Sequence, residues 1–259
     1  MDRPGGSIGE RMNEPRTRIG VIYPEDGVLD DEFWRCVPAN VTVHVTRARS
    51  NLTLGQGRTY AEGHARIAEG PYIEDAARTF TLIKPAAVAY ACTAVSFALG
   101  PAHDATICQR IHQASGSPGT TTATAMVAAL RALGARRVAV AAPYLDEVCS
   151  RLRRFLEESG FTVTSLENLN LPGLAIPDVS DTEVWQLGKR ADRPEAEALF
   201  LSCTNLRTLG VLDALERDLG KPVVSSNLAT MWHALRLAGL RPHLEGLGSL
   251  YRRETDGIQ

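Results

Sequence analysis

Residues 87–97, AVAYACTAVSF, and residues 198–208, ALFLSCTNLRT, share one pattern: a short apolar run closed by Cys92-Thr93 in the first stretch and Cys203-Thr204 in the second. Apolar runs of four or five residues bounded by polar or turn residues read as strands buried on both faces, the kind found in parallel sheets. The rest of the chain alternates such runs with amphipathic stretches. Strands are predicted over 18–23, 41–46, 86–91, 137–142, 162–165, 198–202 and 222–224, and helices over 30–36, 60–80, 98–115, 121–133, 145–159, 182–189, 206–219 and 227–238. This is the order of an α/β protein with mainly parallel strands.

The chain also repeats itself. Residues 116–134, GSPGTTTATAMVAALRALG, match 220–239, GKPVVSSNLATMWHALRLAG, with Pro118 and Pro222 at an offset of 104. Residues 19–34, IGVIYPEDGVLDDEFW, match 138–148, VAVAAPYLDEV, with Pro24 and Pro143 at an offset of 119, and the two Cys-Thr steps are 111 apart. Offsets this close predict two pseudo-symmetric lobes, each a mainly parallel sheet flanked by helices, with an active site in the cleft between them. The expected organisation is a flexible leader over 1–17, an N-terminal lobe over 18–120 onto which 225–259 is a candidate to pack back, a C-terminal lobe over 121–240 and a tail over 241–259.

A chain of 259 residues with 44% hydrophobic content can bury a large core. Its 28 basic and 30 acidic residues are intermixed, so no electrostatic footprint points to nucleic acid. Neither a membrane-spanning run nor an apolar secretory core is present, and a cytoplasmic protein is expected. Five widely spaced cysteines without a CxxC pair argue against a disulfide framework and a zinc site. The six histidines show no metal-ligand spacing, residues 116–119 lack the lysine of a phosphate loop, and no GxGxxG follows the first strand. The expectation is chemistry with no metal and no cofactor.

Ligands of such sheets bind beyond the carboxyl ends of the strands. Cys92, Cys203, Pro24, Tyr144, Thr121-Thr122 and Ser225-Ser226-Asn227 all fall at such ends. A helix N-terminus is expected to lower a thiol toward neutrality, so that one cysteine acts as nucleophile or base while its partner donates a proton. Hydroxyls of Thr93 and Thr204, with the N–H groups after each cysteine, including that of Ala94, would bind a carboxylate and the charge of a forming enolate. Cys36, Cys108 and Cys149 are read as packing residues, since free cysteine is commonly buried.

The paired Cys-Thr steps, IGVIYP, Ala-Pro143-Tyr144 and the SSN…WHALR segment resemble the aspartate/glutamate racemase superfamily, in its branch of maleate cis-trans isomerases and arylmalonate decarboxylases, over residues 18–240. The resemblance implies a cofactor-independent isomerase of a small carboxylate, with Cys92 as nucleophile and Cys203 as acid and base. It further implies that Thr93, Thr204, Asn205 and Tyr144 hold a substrate carboxylate, and that the protein is a homo-oligomer, a dimer or tetramer. The decarboxylases of this branch have glycine at the first cysteine position, so two thiols point toward an isomerase or racemase. The chain departs from maleate isomerases at Pro24-Glu25-Asp26-Gly27, where they carry a Pro-Ser-Ser-Asn-like turn. That departure leaves open an amino-acid or ectoine-utilisation type racemase and an arylmalonate-type decarboxylase. Outside enzymes, the alternative is a ligand-binding protein with the same cleft.

Overall fold

The computed structural model describes residues 16–50, 59–241 and 243–252. Most of the leader, residues 1–15, and the end of the tail, 253–259, lie outside the described residues.

Among the described residues, eight strands form two four-stranded parallel sheets. The first contains β1 (Thr17–Pro24), β2 (Val41–Ala48), β3 (Ala87–Tyr90) and β4 (Gly119–Thr121) in the order β2-β1-β3-β4. The second contains β5 (Arg137–Ala142), β6 (Thr162–Asn168), β7 (Ala198–Leu201) and β8 (Val223–Ser225) in the order β6-β5-β7-β8. The two orders are the same. Even single bonds repeat: the Ala91 amide donates to the Ile22 carbonyl at 2.8 Å, and the Ser202 amide donates to the Ala141 carbonyl at 2.8 Å.

The helices are α1 (Asp30–Arg35), α2 (Tyr60–Glu69), α3 (Tyr72–Arg78), α4 (Thr93–Phe97), α5 (Pro101–Ser115), α6 (Thr122–Ala132), α7 (Asp146–Glu158), α8 (Asp181–Ala191), α9 (Leu212–Leu219), α10 (Ser226–Leu237) and α11 (Gly248–Arg252). The repeated segments at 116–134 and 220–239 become β4-α6 and β8-α10. Each opens after a glycine in the left-handed region, Gly116 at φ 75° and Gly220 at φ 66°, a conformation that side chains with a Cβ avoid. In each, a hydroxyl caps the helix: Thr121 accepts from the Thr124 amide and Ser225 from the Leu228 amide. α6 and α10 pack on one another, and α10 also reaches β3 and β4 of the first sheet. None of the described helices is long and apolar enough to cross a membrane.

Several expected spans are corrected. The helix expected over 60–80 is two helices, because Pro71 lacks an N–H for the helical ladder and forces Gly70 into an extended conformation. The helix expected over 98–115 begins only at Pro101, as α5, after Gly100, whose φ is 86° and which places Pro101 at the first helical position, and the short α4 before it lies outside the expected spans. The helix expected over 206–219 begins only at Leu212. The amides of Thr208 and Leu209 instead donate to the buried side chain of Glu32 on α1, at 2.8 and 3.0 Å. β4 lies outside the seven expected strand spans, and a 3-10 turn at Gly173–Asp178 and α11 are additions. Tyr251 of α11 is fully buried and donates to the Cys36 carbonyl at 3.0 Å.

Candidate active site

Cys92 and Cys203 each stand two residues beyond the end of a central strand, β3 and β7, and both line one cavity between the lobes. A single hydroxyl links the two Cys-Thr steps: Ser226 Oγ accepts from the Cys203 amide at 2.9 Å and from Thr93 Oγ1 at 2.9 Å. Several further contacts of these segments cross between lobes. Thr204 Oγ1 donates to the Ala91 carbonyl at 3.1 Å, and Tyr23 donates to the Thr204 carbonyl at 2.8 Å and to Asn205 Oδ1 at 3.0 Å. Asn205 Oδ1 also accepts from the Val28 amide, and its Nδ2 donates to the Asp26 carbonyl, each at 3.0 Å.

The two thiols are not equivalent. Cys92 is partly buried, has extended backbone at φ −144°, and stands at the N-terminus of α4. The amides of Thr93 and Ala94, the first two of that helix, have no carbonyl a turn earlier to bond and lie at the cavity. Cys203 is buried and sits at φ 112°, a region that costs a residue with a Cβ about 1–3 kcal/mol and persists where its surroundings over-determine it. The Ser226 bond and the Asn205 amide, which donates to Cys203 Sγ at 3.3 Å, supply that constraint.

Tyr144, two residues beyond β5, is buried in the same cavity and accepts from Ser202 Oγ at 3.2 Å. Its ring meets Phe97 edge-on at 6.1 Å. Pro24 ends β1 and opens a turn closed by the Gly27 amide donating to the Pro24 carbonyl at 3.0 Å. Within that turn Glu25 faces β2, where Oε1 accepts from the Ser50 amide and hydroxyl at 3.0 and 3.1 Å, while Asp26 lines the cavity. All eight expected site residues, Cys92, Cys203, Pro24, Thr93, Ala94, Tyr144, Thr204 and Asn205, therefore line one cavity.

The direction expected for the thiols is reversed. Burial pushes Cys92 up to about 12, against the lowering effect of the Val95 amide, and the nearby Asp26 raises it further. Burial likewise pushes Cys203 up to about 12, opposed by the Asn205 amide and the Tyr144 hydroxyl. A five-residue helix contributes a small local dipole, whereas loss of water penalises the thiolate directly. Both groups are thiols at neutral pH. Asp26 is also raised, first by burial and then by Glu25.

Residues that sequence reasoning passed over complete the cavity. Leu145, Val148, Leu171 and Ile176 form an apolar wall, and Tyr60 and His64, one turn apart on α2, stand on the Cys92 side. The N-terminus of α2 is held by Glu147 of α7, whose Oε1 accepts from the Tyr60 amide at 2.7 Å. Burial lowers His64 to about 4, with Arg151 adding to the effect, so the imidazole is neutral. The i, i+4 spacing of Tyr60 and His64 was the available signal. The wall residues at 171 and 176 carry none. Among the described residues no lysine or arginine lines the cavity, and its polar lining includes backbone amides, hydroxyls, the two thiols and the His64 ring.

Residues 47–251 match the family model described as arylmalonate decarboxylase, which spans more than half of the chain. The chain belongs to the arylmalonate decarboxylase family. It is 39% identical over 189 residues to the arylmalonate decarboxylase of Bordetella bronchiseptica, covering 72% of this chain and 78% of that one. It is 26% identical over 252 residues to the maleate isomerase of Nocardia farcinica, covering 92% of this chain and 96% of that protein. A solved structure of a cysteine-substituted arylmalonate decarboxylase variant in its sulfate-associated form superposes with a TM-score of 0.78 at 34% identity, over 91% of this chain and all of that one. The two-lobed fold of this arylmalonate decarboxylase family member is thus the one its strand-end cysteines implied.

Proposed function

We propose that the chain is a cofactor-independent isomerase of a small carboxylate, most like a maleate cis-trans isomerase, working through Cys92 and Cys203. The observation that carries this reading is the pair of thiols, Cys92 partly buried and Cys203 buried, at equivalent strand ends of the two lobes, lining one cavity. The substrate carboxylate rests on the amides of Thr93 and Ala94 and the hydroxyl of Tyr144, with Thr204 and Asn205 shaping the opposite side. Cys92 sulfur bonds to one alkene carbon as the double bond opens, and the Cys203 thiol gives its proton to the other carbon. The proton released by Cys92 restores Cys203. Rotation about the resulting single bond and reversal of the same steps release the trans isomer and both thiols. Two thiols held protonated suit this addition, because the acid is present before the substrate arrives.

One observation favours a second reading. The apolar wall of Leu145, Val148, Leu171 and Ile176 suits a hydrophobic substituent, as on a 2-substituted malonate or a racemisable acid. Incubation with maleate and phenylmalonate in deuterated water tests both readings. Fumarate is the expected product, carbon dioxide would point to decarboxylation, and deuterium at the α-carbon without net reaction would point to racemisation. Turnover of neither acid would refute both. On the same reading the enzyme is cytoplasmic and a dimer or tetramer, for which the exposed Val28, just before α1, and Trp34, on α1, offer apolar surface.

A further inference from the structure

Cys92 borders two cavities. It lines the cavity between the lobes and also an adjoining cavity of about 500 Å³, where its neighbours include Tyr90, Tyr60, His64, Glu25 and Asp26. Tyr90 ends β3, and the chain stays extended through Cys92 at φ −144° and ψ 101°. Residues two apart on extended backbone share a face, so the phenol and the thiol leave the strand on the same side. The Tyr90 ring is buried in the apolar cluster that contains Ile22, Ile67, Val95 and Ile107, which fixes its direction.

The hydroxyl at the end of that ring bears on the Cys92 sulfur. Burial holds the phenol protonated well above its ordinary value, and the Cys92 sulfur, which accepts from it, and Asp26 add to the effect. On the thiol, burial raises the pKa, the Val95 amide and the Tyr90 hydroxyl oppose that rise, and Asp26 and Cys203 support it. Glu25 is turned to Ser50 and the His64 imidazole is neutral, so neither gives Cys92 a counter-charge. Addition of sulfur to an alkene and the reverse cleavage both pass through negative charge on Cys92. A donor already aimed at that sulfur lowers the barrier to both steps.

We infer that Tyr90 is a further catalytic residue: its hydroxyl donates to the Cys92 sulfur as the carbon–sulfur bond forms and breaks, and keeps its own proton throughout. The role rests on the reading that Cys92 adds to the substrate. It gives Cys92 the kind of phenolic partner that Tyr144 gives Cys203.

Tyr90→Phe tests it, because the change removes the hydroxyl and keeps the ring; the urea midpoint reports that the variant is folded. A hydrogen bond to a charged group changes the thiolate population about ten- to hundredfold. The more basic thiolate left behind is intrinsically more nucleophilic, so the net loss of rate is about three- to tenfold. Alkylation by iodoacetamide at about pH 9, read by peptide mass spectrometry, should therefore slow by that factor at Cys92 and stay unchanged at Cys203. In maleate conversion kcat should fall by a similar factor with KM within about twofold, the split expected of a group that touches the sulfur and not the carboxylate. Unchanged alkylation of Cys92, an equal slowing at Cys203, or an unchanged kcat would overturn the role of Tyr90 and leave the two-thiol reading standing. A wild-type protein that converts no maleate refutes that reading, and the role of Tyr90 with it.

Discussion

Replacing Glu32 by alanine tests whether the loop carrying Cys203 is held from the opposite lobe. Glu32 is fully buried on α1 of the first lobe. Its Oε1 accepts from the Thr208 and Leu209 amides at 2.8 and 3.0 Å, and its Oε2 accepts from Asn227 Nδ2 at 2.7 Å and Thr208 Oγ1 at 3.4 Å. Alanine strips three buried N–H donors of their partner, each worth about 1–3 kcal/mol when orphaned. Water entering the vacated space and relief from burying the carboxyl group offset part of that, leaving an expected loss of about 3–5 kcal/mol, the usual cost of breaking a buried polar cluster from one side. Glu32→Gln keeps an oxygen for the two amides but turns an NH₂ toward Asn227 Nδ2, so a loss of about 1–2 kcal/mol is expected. Urea unfolding at pH 7 gives both values, provided the slope of the transition is unchanged. Turnover should fall in both variants, because the same loop sets the position of Cys203. An alanine variant within about 1 kcal/mol of wild type and with unchanged kinetics would refute the claim that this contact holds the loop.

Two further outcomes follow from the thiols. Cys92→Ser and Cys203→Ser should each lower turnover by about 10²–10⁴-fold while leaving the circular dichroism spectrum intact, since a hydroxyl is both a poorer nucleophile and a poorer acid than a thiol; activity within tenfold of wild type in either would remove that residue from the mechanism. Alkaline pH should destabilise the protein. An unfolded thiol ionises near about 8.5, whereas Cys92 and Cys203 hold their protons up to about 12, so the folded state binds more protons in between and the stability these groups contribute is lost progressively as pH rises from about 8.5 to about 12. The urea midpoint should therefore fall from pH 8 to pH 10.5 in wild type, and fall less in Cys203→Ser; equal slopes would contradict the burial argument.

The fold and the pairing of two cysteines at equivalent strand ends were legible because both depend on local pattern. Apolar runs such as 87–91 and 198–202 mark strands buried on both faces whatever the rest of the chain does, and a repeat places the two Cys-Thr steps at equivalent strand ends. The turn residues were readable for the same reason: Pro24 and Pro143 follow strands, and Thr121 and Ser225 sit where helix caps belong. Helix breaks at Gly70-Pro71 and Gly100-Pro101 were written in the sequence too, but were overridden by the apolar periodicity on either side.

The remainder depends on contacts between residues far apart in the chain. Ser226 joins Thr93 to Cys203, Glu32 reaches Thr208 and Asn227, and Tyr23 reaches Thr204, pairings that no local spacing encodes. The ionisation of the thiols belongs to this second group. A helix N-terminus beside a cysteine is visible in sequence and argues for a lowered pKa, yet the water excluded by the two closed lobes decides the sign. Local chain chemistry thus determined the strands, the repeat and the placement of the two cysteines at strand ends, while only the docking of one lobe on the other, by setting the dielectric around them, decided that both are thiols at neutral pH.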